Sequence, residues 1–596
     1  MFPTRIITKF FALSLLLFAT SCAQESVGLQ TGDAELTPVD PHQQLFLEER
    51  YPSAQSCRTC HPRQYREWSV SPHAYAQLSP VFNAMHGKIL QLTNGTLGDF
   101  CIRCHTPVGM AIHEPLFGSN LDRHPTSREG LTCIACHRVN QAFGKVSGRR
   151  ALVEGALTEP VVGPTGSGEL QRVIASEDYK VTTESEGTGR RIHNDATRFF
   201  QLVEPSFCGA CHDVTLPDGF RLEEAFSEYK TSPAAARGES CQDCHMGHTP
   251  GVAAGYAQGP AAVVGGIPTR ERRASNHMFV GPDYSVVHPG IYPHNPDLQA
   301  VATLREWLQF DVDAGWGTDE FEDEVAEDAQ FPERWSDPED RYDGRELLEG
   351  QLELLAEATE ERRKLLRRGY RLGRIQVDRR TDEAALKFRV EVKNGTDGHN
   401  VPTGFTAERI VFLRVEVSDA DGNQVFVSGD LDPNGDLRDS HSVYVHNGEL
   451  PIDEQLFSLQ SRFLTRNIRG GEREQVLAVN HSADSLPFVR PETFPSVLTG
   501  RPGGARLHRH GIEPGGSRWA PYRVEPEKLQ GPSPHQLRVQ LIAGMVPVNL
   551  VDAIKDVGFD YGMSPREVAD KIVEGHLVLW ESAVVLNGEG GAATTE

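Results

Sequence analysis

The chain has 596 residues, 38% of them apolar, with 56 glycines and 38 prolines. That length calls for roughly two to four domains, and that composition for much loop. The 83 acidic and 59 basic residues leave a formal charge of −24, which argues against electrostatic binding of nucleic acid or an anionic membrane surface and favours basic or neutral partners.

The first 22 residues read as an export signal. Arg5 and Lys9 supply a positive start, and an apolar stretch over 10–20 follows; it is too short to span a bilayer. Ala19, Thr20, Ser21 and Cys22 then resemble a lipobox with Ala19 where Leu is usual, which makes Cys22 the lipidation candidate; the alternative is ordinary cleavage near Ala23. No later apolar run is long enough to cross a membrane. Residues 23–50 read as a linker.

The remaining ten of the eleven cysteines fall into five copies of one pattern: Cys57-Arg-Thr-Cys60-His61, Cys101-Ile-Arg-Cys104-His105, Cys133-Ile-Ala-Cys136-His137, Cys208-Gly-Ala-Cys211-His212 and Cys241-Gln-Asp-Cys244-His245. Two thiols at this spacing reach the two vinyl groups of one haem, and the adjacent imidazole meets the iron as its proximal ligand. Disulfide frameworks do not place His after every second Cys, and five CxxC pairs do not divide evenly into four-Cys zinc sites. The pattern therefore predicts five covalent haems c within a domain spanning 51–300. The gaps between motifs follow no fixed period, so this domain is expected to be helical and irregular, folded around porphyrins that fill much of its interior.

Each iron needs a sixth ligand unless it is a substrate site. His73, which follows Trp68 closely in the chain, is the first candidate, and His277, in Ser-Asn-His-Met-Phe, the second. His86, His113, His193 and His294 are further candidates, each equally readable as a surface or packing histidine. His124, His248 and His288 lie in the same region, and Met85, Met110, Met246 and Met278 leave thioether ligation open.

Several of these stretches resemble a known family. The run Ser56 to His61 with Tyr65, Trp68, Ser71, His73 and Ala74, then Cys101 to His105 with Thr106-Pro107, then Gly130-Leu-Thr-Cys133 to His137, is similar to the multihaem domains of the cytochrome c-554 type. The resemblance implies stacked haem pairs, mostly bis-His iron and periplasmic electron transfer between redox partner proteins. Its nitrite-converting relatives often mark a catalytic haem by Lys in place of the motif His, whereas all five motifs here end in His. No catalytic residue is assigned. An iron open on one side, acting on a small nitrogen or sulfur compound, is the alternative function. A structural protein that merely holds haem is a third.

Residues 301–372 read as an acidic connector and helix. Between 311 and 346 stand fifteen acidic residues against Arg334, Arg341 and Arg345, a solvated face or else a docking or cation site. A helix is predicted over 345–368, with Asp343 as cap, Leu347, Leu348, Leu352, Leu355, Leu365 and Leu366 as its apolar face, and Gly369 as its stop.

Residues 373–596 change period. Alternation over 385–393, strands over 409–418 and 424–428 joined at Asp421-Gly422, and strands over 475–479, 517–524, 536–542 and 576–585 predict a β-sandwich-like domain without haem of its own. Within it, Asn394-Gly-Thr-Asp-Gly-His399-Asn-Val-Pro-Thr-Gly404 reads either as a tight turn or as a loop whose His399 reaches a haem. His508 and His510 are a weaker metal-binding pair. The predicted class is α+β multidomain, in the periplasm or lipid-anchored at the outer membrane or cell surface, with the membrane reached only through the N-terminal anchor.

Overall fold

A computed structural model describes residues 50–139, 147–148, 151–216, 221–378, 385–466, 472–477 and 505–586. Cys22, the signal and linker, and part of the strand expected over 475–479 lie outside the described residues. No described helix is long and apolar enough to cross a membrane.

The first region is built from short helices, most of which open with a proline or a hydroxyl cap. Pro62–Ser69 has Pro at its start, Pro72–Tyr75 is capped by Ser71, and Pro80–Leu92 by Ser79; Pro fits the first helical turn, where its missing N–H costs nothing. Among the described residues, four two-stranded ribbons connect these pieces. Its peptide core is small: Tyr65, Trp68, Tyr75, Leu78 and Tyr292 form one cluster, and Val173, Tyr179, Ile192 and Val264 another.

The acidic connector is more than a solvated face. Trp307, Phe310 and Trp335 pack with Leu298 and Leu348 in a buried cluster. Arg341 and Glu322, 2% and 6% exposed, form an ion pair beneath it. Aromatic residues scattered among the carboxylates thus supply a core of their own.

The long helix also begins earlier than expected, at Pro338, and runs to Gly369. Asp337, not Asp343, is its cap, accepting from the Glu339 N–H, and Glu339, Asp340, Arg367 and Arg368 complement the dipole. Gly344 lies inside it without interrupting it, and a side chain there would crowd Trp335 and Phe310 at 3.0 and 3.1 Å. Leu348 and Leu366 are buried, whereas Leu352 is exposed.

Beyond the helix the described residues form three antiparallel sheets. One has the order Ser517–Val524, Leu386–Asn394, Tyr370–Val377; another Gln424–Ser428, Val411–Ser418, His535–Ala543, Leu577–Leu586; the third Glu472–Gln475, Arg462–Arg466, Ala505–His508. Alternation sets the buried faces. Leu386, Phe388, Val390 and Val392 from the first sheet and Leu413, Val415, Val417, Leu537, Val539 and Leu541 from the second share one apolar core. The turn at Asp421-Gly422 forms as expected: Gly422 takes φ +84°, and the Asp419 carboxylate accepts from the Asp421 and Asn423 N–H groups.

Two helices in this region, Val548–Ile554 and Pro565–Glu574, join it to the first. Leu550, Val551, Ile554, Val568 and Ile572 pack with Val81, Ala84 and Val286. Asp560 accepts from Ser119 Oγ and the Asn120 N–H, both at 2.6 Å, and Tyr561 donates to the Leu78 carbonyl. From residue 50 on, the described chain is one compact unit.

Candidate haem-binding cavity

One cavity of about 1720 Å³ runs through the molecule, and all ten motif cysteines and all five motif histidines line it. None of these cysteines is in a disulfide. Each motif sits in or beside a short helix, as in Cys133–His137 and Cys241–His245, which brings thiol, thiol and imidazole to the same wall. The Cys57 and Cys133 thiols are in hydrogen-bond contact, as are those of Cys208 and Cys241. The first motif therefore adjoins the third, and the fourth adjoins the fifth.

The imidazoles are oriented by the backbone. Nδ1 of His61 lies 2.7 Å from the Ala261 carbonyl, that of His105 2.9 Å from Ala76, and that of His137 2.8 Å from Val162. A carbonyl oxygen can only accept, so Nδ1 carries the proton and Nε2 keeps its lone pair for a metal. Burial pushes His105, His137 and His245 down to about 4, so they are neutral, as ligation requires.

Four of the further candidates line the same cavity: His73, His193, His277 and His399. The fold brings His193 opposite His61 and His399 opposite His245, each pair with ring centroids 6.4 Å apart and planes 14° apart. His73 faces His212 at 6.1 Å and 37°. Metal–imidazole bonds of about 2 Å on either side of one iron place the ring centroids roughly 6 Å apart, so these three pairs fit an iron between them. The Nδ1 of His277 is held by the Ser275 carbonyl at 3.1 Å. Haem, when bound, supplies one-electron exchange at its iron; this chain supplies the thiols, the oriented nitrogens and a largely apolar wall.

Other candidates stand elsewhere. His294 stacks on Trp68 (5.3 Å, 8°), and its Nε2 meets the Ala74 carbonyl at 3.1 Å, so the nitrogen a metal would need is spent on packing. His288 uses both nitrogens, against the Phe310 carbonyl and the Gly290 N–H. His113 and His248 are exposed, and His124 caps a helix through Nδ1. His86 is buried with both nitrogens unpartnered; the Phe82 ring, stacked on His105 at 3.5 Å and 2°, also lies edge-on to His86. Met85 and Met246 line the cavity. His508 and His510 lie edge to face at 4.6 Å, and no third ligand joins them among the described residues.

The loop bearing His399 is clamped to the first region. Glu228 accepts from the Asn400 N–H, the Asn400 side chain and Thr403 Oγ1 at 3.2, 2.9 and 2.6 Å. Arg237 bonds Asp397, and the Ala234 N–H donates to the Asp397 carbonyl. The Gly-His-x-x-Pro-Thr-Gly pattern marks this loop in the sequence; nothing comparable marks His193.

No curated protein matches the chain. A solved structure titled as a penta-heme cytochrome c552 from Thermochromatium tepidum is similar at 16% identity and a TM-score of 0.45, covering 90% of this chain and 99% of that one. The family model described as "Cytochrome c554 and c-prime" matches residues 56–138. That segment holds the first three cysteine motifs, so over these residues the chain is similar to the cytochrome c554 family, and its five motifs are those of a multihaem cytochrome c with covalently bound haem.

Proposed function

We propose that the chain is a pentahaem cytochrome c that passes electrons between redox partner proteins outside the cytoplasm. The observation that carries this reading is the single cavity lined by all five Cys-Cys-His sets together with His73, His193, His277 and His399. Contact between thiols of different motifs supports haems close enough for direct exchange in two pairs, first with third and fourth with fifth. The axial pairs proposed are His61–His193, His212–His73, His245–His399 and His137–His277. Export directed by residues 1–22, with a lipid on Cys22, belongs to the same proposal, as do the acidic surface's basic partners and a sandwich-like packing of the two larger sheets.

One observation favours a second reading. Among the described residues, no imidazole faces His105 as His193, His73 and His399 face His61, His212 and His245; the Phe82 ring stacks on it instead, with His86 beyond, and the haem at Cys101 and Cys104 is on this reading one open to a small nitrogen or sulfur compound.

Electron paramagnetic resonance of the oxidised protein, with mass spectrometry of the intact chain, tests both. Five added haems with low-spin iron throughout support the carrier. Four low-spin irons and one high-spin iron that responds to added nitrite or sulfite support the second reading. A mass lacking five haems overturns the proposal.

A further inference from the structure

Glu408 separates two cavities. Its side chain is buried, and neither carboxylate oxygen has a hydrogen-bond partner, a costly state for an ionised group. On one side it lines the haem-binding cavity; its neighbour Ala407 packs with Phe100 and Cys101, beside the second motif. On the other it lines a small cavity with His441, Ser461, Arg462, Glu474 and Asn549, with room for about one water molecule.

The far wall of that small cavity is a charged relay towards the surface. His441 pairs with Asp439 at 3.3 Å and with Glu474 at 3.2 Å, and Arg462 pairs with Glu474 at 2.9 Å. All four side chains are 14–29% exposed. On the haem side Arg409 is held by Asp283, with Glu223 nearby.

We propose that Glu408 is a proton-loading residue: it takes up a proton from solvent through the His441 cavity when the iron beside Cys101 and Cys104 gains an electron, and returns it when the electron leaves. The balance is simple. One electron from the redox partner turns Fe(III) into Fe(II), one proton from water turns the carboxylate into the acid, and the reverse step releases both. The physical cause is Coulombic, because an electron added nearby in a poorly polarisable interior raises the proton affinity of a carboxylate. The cations facing Glu408, His441 and Arg409, are each offset by carboxylates, Asp439 and Glu474 on one side and Asp283 on the other, which leaves Glu408 responsive to the haem. In agreement, burial pushes Glu408 up to about 8, with His441 and Arg409 opposing, and Glu223 up to about 7.

The inference rests on the pentahaem reading, and the test separates the two. The full haem-loaded chain is titrated by spectroelectrochemistry from about pH 6 to about pH 10, as wild type, Glu408→Gln and Glu408→Asp. In wild type one midpoint potential falls with pH, approaching tenfold in equilibrium constant per pH unit, or about 59 mV for one electron. Glu408→Gln flattens that potential alone, and Glu408→Asp retains the slope. The reduced-minus-oxidised infrared spectrum of wild type gains a carboxylic-acid carbonyl band that Glu408→Gln lacks. An unchanged slope in Glu408→Gln, as a haem propionate would give, overturns the inference, and so does a wild-type spectrum without the band. If Glu408→Gln fails to load haem, Glu408→Asp decides: a shift of the band's frequency against wild type supports the inference, and an unshifted band, as a propionate would give, overturns it. Missing haem potentials would instead count against the pentahaem reading.

Discussion

The imidazoles of His245 and His399 confront each other across the cavity, ring centroids 6.4 Å apart and planes 14° apart. The first follows the fifth cysteine pair; the second stands on a loop between strands of the C-terminal sheets. An iron between them would tie the two regions together through a coordinate bond, beyond the hydrogen bonds that Glu228 already makes to Asn400 and Thr403.

Replacing His399 with Ala therefore converts one iron from low spin to high spin and leaves the intact mass with every haem still attached, since the thioethers are untouched. Paramagnetic resonance and mass spectrometry on one sample check both halves. An unchanged low-spin count shows that another group serves that iron.

His294→Phe should do the opposite. The aromatic ring keeps the stack on Trp68, and only the bond to the Ala74 carbonyl is lost. Stability falls by about 1 kcal/mol, read from the thermal midpoint, while the haem spectra and spin count stay as in wild type.

Glu322→Ala leaves the Arg341 guanidinium buried against the Trp335 carbonyl without its carboxylate. Loss of one partner of such a pair costs about 3–5 kcal/mol, measurable by denaturant titration. Arg341 holds the Glu322 carboxyl below its ordinary range, so the wild-type contribution is present above about pH 4.3 and disappears as pH falls through the lowered folded value. At pH 3 or thereabouts the difference between variant and wild type should shrink.

The His441 network carries the reverse dependence. Asp439 and Glu474 outweigh burial and raise His441 to about 10. A folded value above the ordinary one of about 6.5 gives stability that is fully present below about pH 6.5 and fades as pH climbs towards 10. Thermal midpoints at about pH 7 and about pH 9.5 should drop in wild type and drop less in His441→Gln.

What the sequence exposes and what it conceals divides along physical lines. The cysteine motifs are local, because one haem needs both thiols and the imidazole within five residues, and all five stand where the cavity is. The strands over Ser517–Val524 and Gln424–Ser428 were legible from alternation. The imidazole that faces His61 was not distinguishable in advance: His193 follows two arginines and a buried Ile192 in an unremarkable stretch, and its place depends on the packing of Ile192 with Val173, Tyr179 and Val264. The strand Tyr370–Val377 follows the long helix with no loop between them, so no turn residue announces it. Val548–Ile554 is a short apolar run whose helix is decided by contact with Val81 and Ala84, beyond the reach of periodicity.

Residues 394–404 belong to the C-terminal half and yet wall the cavity, so the cavity has its full wall only when both halves have folded. A haem held there would touch side chains encoded far apart, and the two halves would share one cofactor shell.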